Sequence, residues 1–147
     1  MNVLFRCDAS IKIGFGHLVR CFALAENLNK EHNCHIFFAM LKSKIGIEKA
    51  KKKYPVFENN QKDFDYEKWL LEIINKNKID ILIMDMRDGL KSKQLRIIKK
   101  NTNVKVVTID DPEEKYVEAD LAFYPPVPQL DRNDWKKFNG KLFKGWE

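Results

Sequence analysis

Several absences narrow this 147-residue sequence before anything else does. No run of about 18 apolar residues occurs, so no helix spanning a membrane is expected. The first residues, Met1-Asn2-Val3-Leu4-Phe5-Arg6, lack the basic segment, long apolar core and small-residue cleavage site of a secretory signal, and read as a first strand. The cysteines, Cys7, Cys21 and Cys34, are odd in number and never stand as Cys-x-x-Cys. They are expected as buried thiols of a reduced, cytoplasmic protein. No His, Cys or Asp cluster has ligand spacing, so neither a metal nor another cofactor is expected. Arginine is scarce: 22 of the 27 basic residues are lysine and five are arginine. The net charge of +6 therefore lacks the arginine forks of base readout and the basic-aromatic interleaving of single-strand binders, and no nucleic-acid partner is expected. Lys49, Lys51, Lys52 and Lys53, with Lys99 and Lys100, read as solvated helix faces or ends.

What is present is 44% apolar residues, enough for one domain with a real core. Strand-like and helix-like patterns alternate. Strands are expected at 2–7, 34–40, 80–86, 104–109 and 119–124, with a short edge strand at 55–58. Helices are expected at 16–30, from a Ser43 cap to about Lys53, at 63–75 and at 92–100. The continuous apolar run of 80–86 suits a parallel sheet covered on both faces. The fold class expected is therefore α/β: an open, mostly parallel, Rossmann-like sheet with helices on both faces. A domain is expected over residues 1–125. Residues 126–147, with Pro126, Pro128, Trp135, Phe138, Leu142, Phe143 and Trp146, read as an extended aromatic tail or the start of an interdomain connection.

In such sheets ligands sit beyond the carboxyl ends of the strands. Arg6 and Asp8, Asp85 and Arg87, and Asp110 and Asp111 all fall there. For Asp85 or Asp110 alone, capping a helix or bracing a loop competes with a direct role. Gly14-Phe15-Gly16 lacks the third glycine of a dinucleotide fingerprint and the acidic residue after the second strand, and Gly-Lys-Ser/Thr of a P-loop is missing. What remains is Gly-x-Gly-His with Arg20 three residues on. A helix N-terminus favours phosphate or a developing oxyanion and disfavours imidazolium, so His17 is placed as a neutral base. Asp8 would orient the ring or a water, and Arg20 would meet a phosphate. The competing role for His17 is to cap the helix or pack on the sheet.

Arg6-x-Asp8-x-Ser10-x-x-Ile13-Gly14-x-Gly16-His17-x-x-Arg20-Cys21-x-x-Leu24-Ala25 resembles the N-terminal signature of the PseG/SpsG family, nucleotide-sugar hydrolases and related spore-coat polysaccharide proteins. The strand ending in Asp85, Ile109-Asp110-Asp111 and Ala119-Asp120-Leu121 extend the likeness along the chain. The resemblance implies one half of a GT-B-like fold and hydrolysis of a UDP-activated, acetamido-substituted deoxysugar in pseudaminic acid or other surface polysaccharide synthesis. It implies His17 as the base that activates water, and Arg6, Asp8, Ser10, Gly14, Gly16, Arg20, Asp85, Asp110 and Asp111 as substrate-binding residues. Family members carry a second nucleotide-binding domain, so the expected partners are a UDP-sugar and a missing C-terminal domain or partner chain. Little activity is expected from the chain alone. A GT-B glycosyltransferase half, or a non-catalytic partner subunit, remains the alternative.

Overall fold

The computed structural model describes residues 1–41, 43–87, 89–128, 130 and 134–145. Its centre is a seven-stranded sheet with every neighbour parallel, in spatial order β3-β2-β1-β4-β5-β6-β7. The strands are β1 (Asn2–Cys7), β2 (His35–Leu41), β3 (Val56–Asn59), β4 (Ile81–Asp85), β5 (Lys105–Ile109), β6 (Leu121–Tyr124) and β7 (Lys141–Lys144). Among the described residues four α-helices link β1 through β5: α1 (Gly16–His32), α2 (Lys44–Lys51), α3 (Tyr66–Asn77) and α4 (Ser92–Asn101). The α/β reading of the sequence holds, and β1 matches its expected span to the residue.

Both sheet faces are covered, which is why the inner strands read as unbroken apolar runs. Val3, Phe5 and Cys7 pack with Leu18, Cys21 and Ala25 on the α1/α2 side. Leu4, Leu82, Met84 and Val106 pack with Leu70, Ile73, Leu95 and Ile98 on the α3/α4 side. Leu18, Cys21, Phe22, Ala25 and Leu28 recur at helical spacing along α1; Leu18, Cys21 and Ala25 are buried, while Phe22 and Leu28 are partly buried at the edge of the same cluster. All three cysteines are free and buried.

Element ends differ from the sequence reading where caps decide them. α1 runs on to His32 and stops at Asn33, left-handed at φ 52°, whose N–H donates to the Leu28 carbonyl. α3 starts later than expected because Asp65, not Asp63, caps it, accepting from the Lys68 N–H. β6 begins at Leu121 and not at Ala119, because the Ala119 N–H turns back to the Tyr116 carbonyl to close a 3-10 turn over Glu114–Glu118.

Within 126–147, Lys141–Lys144 pairs parallel to β6 as β7. Trp135, Phe138 and Leu142 pack onto Tyr116, Ala122, Tyr124 and Leu130 in a small third core. Trp146 lies outside the described residues.

Candidate functional site

The strand order reverses its direction of growth between β1 and β4, and there the connections leave to opposite sides and open a crevice. Cys7 pairs in register with Asp85, so both strands end at the same level. After β1 the chain forms a tight turn in which Ser10 and Gly14 exchange two backbone hydrogen bonds, of 3.3 and 2.8 Å. Ser10 Oγ accepts from the Ile13 N–H, and Gly14 takes φ 81°, a conformation that strains any side chain. α1 then begins with no side-chain cap at Phe15, which leaves the polar N–H ends of its first turn without an internal partner.

His17, Arg20 and Cys21 lie on one face of α1, three and four residues apart, and all three meet Asp85. His17 Nδ1 lies 2.6 Å from Asp85 Oδ1. Arg20 donates Nε to Oδ2 at 2.8 Å and Nη2 to Oδ1 at 2.7 Å. The Cys21 thiol stands 3.7 Å from Oδ2. The Asp85 side chain is only 1% exposed, so four donors surround a carboxylate that water barely reaches. Its hydrogen bonds to Arg20 push the guanidinium further toward the charged form, with burial opposing. Contact with Cys7, then burial and the Asp85 charge, drive the Cys21 thiol well above its ordinary value, so it stays an S–H. A carboxylate paired to arginine only accepts. The His17 Nδ1 therefore carries the proton it donates to Asp85, and in the neutral ring Nε2 keeps a free lone pair.

Two adjoining cavities open at this point. One, of about 320 Å³, is lined by Asp8, Ile13, His17, Asp85, Met86 and Arg87. The other, of about 280 Å³, is lined by Ile13, Gly16, His17, Arg20, Arg87 and Asp110. A larger hollow of about 460 Å³ continues past Arg20 and Asp110 to the stacked Phe123 and Phe143 rings.

The residues expected at the substrate thus separate into groups. His17, Asp8, Gly16, Arg20, Asp85 and Asp110 border the cavities. A Cβ on Gly16 would meet nothing within 4 Å, so the helix start stands open to the cleft. Gly14 and Ser10 shape the turn.

Arg6 and Asp111 are placed differently from their expected substrate contacts. Arg6 is 0% exposed because it lies inside the strand, in register with Met84. It donates to Asp8 at 2.6 Å and to the Tyr66 hydroxyl, with its guanidinium over the Tyr66 and Trp69 rings. Burial opposes its charge, but Tyr66 and Asp8 outweigh it. Asp8 completes the brace by accepting the Leu41 N–H at 2.7 Å.

Asp111 is likewise buried. It accepts from Lys115 Nζ at 3.0 Å and from the Tyr116 and Glu113 N–H groups. Burial raises its pKa, with Lys115 and the two N–H groups opposing. Its place is the connection between β5 and β6. Arg87 and Ile13 line both cavities, yet neither had been given a role. The one signal for Arg87 was its position two residues past a strand end.

No protein-family model matches the chain. A curated relative, the UDP-2,4-diacetamido-2,4,6-trideoxy-beta-L-altropyranose hydrolase of Campylobacter jejuni, is 35% identical over 111 residues. That match covers 76% of this chain and 37% of the relative. Among solved structures, a glycosyltransferase from Rickettsia africae ESF-5 shares the fold at a TM-score of 0.62 and 14% identity, over 97% of this chain and 42% of that one. The chain is thus similar in sequence to that hydrolase over little more than a third of the relative's length, and it shares a Rossmann-like fold with the glycosyltransferase.

Proposed function

We propose that this chain is the base-bearing half of a UDP-sugar hydrolase acting on a diacetamido-trideoxyhexose, in pseudaminic acid or another surface polysaccharide synthesis. His17 is the base. The observation that carries the proposal is the 2.6 Å contact between His17 Nδ1 and a buried Asp85 that Arg20 clamps from the other side. This arrangement fixes the ring and leaves Nε2 to accept a proton. A water held at Nε2 gives up a proton as its oxygen bonds to the anomeric carbon. The bond from that carbon to the β-phosphate oxygen breaks, and its electron pair leaves on UDP. Asp85 is a positioning residue that steadies the imidazolium formed. The curated relative's hydrolase activity supports the substrate class. A second nucleotide-binding unit completes the site.

Turnover of the UDP-sugar in ¹⁸O-water tests this reading, with the chain alone and together with that unit. The label is expected on the sugar C1 hydroxyl. His17→Asn is expected to lower kcat by about 10²–10⁴ while the melting temperature stays unchanged. Label in the phosphate, or a His17→Asn variant of near-native rate, would overturn the assignment. A sugar acceptor glycosylated in place of water would point to a transferase.

A further inference from the structure

Arg20, Arg87 and Asp110 line the second cavity, and the two guanidinium groups are unequally paired. Arg20 gives two near-parallel bonds to Asp85, whose side chain is 1% exposed. Withdrawing Arg20 toward a solute would leave a buried carboxylate short of its main counter-charge, which is strongly unfavourable. Arg20 is therefore committed, and does not serve as the free phosphate contact that its spacing from His17 suggests. Arg87 differs in every respect. It makes one contact with Asp110, at 3.3 Å, with its side chain 60% exposed. A single exposed pair of this kind contributes little and gives way to a better anion. Arg87 also lines both cavities beside His17, and Asp110 is held with φ 50° and its N–H bonded to the Phe123 carbonyl. That backbone fixes the carboxylate where it meets the arginine.

We infer that Arg87 is the anion clamp of the cleft and Asp110 its resident competitor. Without ligand, Asp110 occupies one corner of the guanidinium. A diphosphate entering beside His17 displaces Asp110 and takes the planar fork in two parallel bonds, a geometry arginine favours over lysine. Asp110 then repels singly charged or misplaced anions and yields only to a dense charge. The identification of the ligand as a nucleotide diphosphate rests on the hydrolase reading. The clamp itself does not, and inorganic pyrophosphate probes it without turnover.

Calorimetric titration of the 147-residue chain with pyrophosphate at low salt tests the clamp. Arg87→Ala is expected to weaken binding about tenfold, the loss of one solvent-screened guanidinium fork with both its bonds. Asp110→Asn is expected to tighten it about three- to tenfold, and asparagine tolerates the left-handed backbone as aspartate does. The double variant separates competition from general charge. If Asp110 acts by occupying Arg87, its gain disappears in the Arg87→Ala background. An equal gain in both backgrounds overturns the clamp. So does an Arg87→Ala variant that binds like the unaltered chain, or the absence of pyrophosphate binding in both the unaltered chain and Asp110→Asn. Unchanged melting temperatures confirm that each variant is folded.

Discussion

Replacing Asp85 by asparagine tests the centre of the site with almost no change of shape. The carboxylate accepts from His17 Nδ1 and twice from Arg20. Asparagine offers one oxygen, and its NH₂ must then face either Arg20 or the protonated side of His17, donor against donor. Bonds to charged groups contribute about 1.5–3 kcal/mol each. The Arg20 side chain is 42% exposed, however, so it regains water and much of that contribution must be discounted. The expected loss is about 2–3 kcal/mol, or a melting temperature lower by roughly 5–10 °C for a domain of this size.

The ring should respond as well. Freed from the carboxylate, His17 can turn its Nδ1 into an acceptor for the amide and carry the proton on Nε2, the wrong tautomer for a base. Long-range ¹H–¹⁵N NMR at alkaline pH reads this directly, with His17→Asn assigning the signal against His32 and His35. An Nδ1–H ring in both proteins, together with a melting temperature shifted by less than about 1 °C, would refute the claim that Asp85 sets the imidazole.

Two further perturbations probe the supports around the site. Arg6→Met leaves Asp8 without its buried partner, and breaking such a pair typically costs 3–5 kcal/mol. Asp8 lines a cavity that admits water, so the low end, about 3 kcal/mol, is expected in urea titrations, and a loss under about 1 kcal/mol would contradict the brace. Asp120 accepts the Val106 N–H at 2.8 Å and faces Lys99 at 3.0 Å. Burial works against its charge, but that N–H and the two lysines Lys99 and Lys105 outweigh it and hold its pKa below the ordinary value. A depressed carboxylate contributes stability that is present above its unfolded pKa, near 3.9, and is lost as pH falls through the folded value. Urea midpoints of the unaltered chain should therefore fall below about pH 4, and Asp120→Asn should flatten that limb. An acid limb of equal steepness in the two proteins would rule this out.

Most elements were legible because hydrophobic period alone marks them: β1, α1 and β4 carry long apolar runs or clear helical spacing, and both sheet faces demand them. β7 was not. Lys141-Leu142-Phe143-Lys144 is two apolar residues between lysines, and nothing local favours a strand there. Its pairing depends on β6 already standing at the sheet edge, and Phe143 stacks on Phe123 at 4.8 Å only once the strands lie side by side.

The site divides in the same way. His17, Arg20 and Asp85 were each visible as polar residues at element ends, but 65 to 68 positions separate the helix from Asp85. Their meeting requires β4 to be the neighbour of β1, and alternating patterns predict a parallel sheet without its strand order. Arg6 shows the converse. Its spacing from Asp8 suggests two rim residues, yet Arg6 still lies within the ladder, paired with Ala39 and Met84, while Asp8 is the first residue beyond it. One strand residue rises only about 3.3 Å. Two such steps are enough to turn a charge from a ligand contact into a buried counter-ion. Between β1 and β4 the discriminating feature is thus the last paired residue: Arg6, before it, braces the sheet, while Asp85 at it and Asp8 just past it border the cleft.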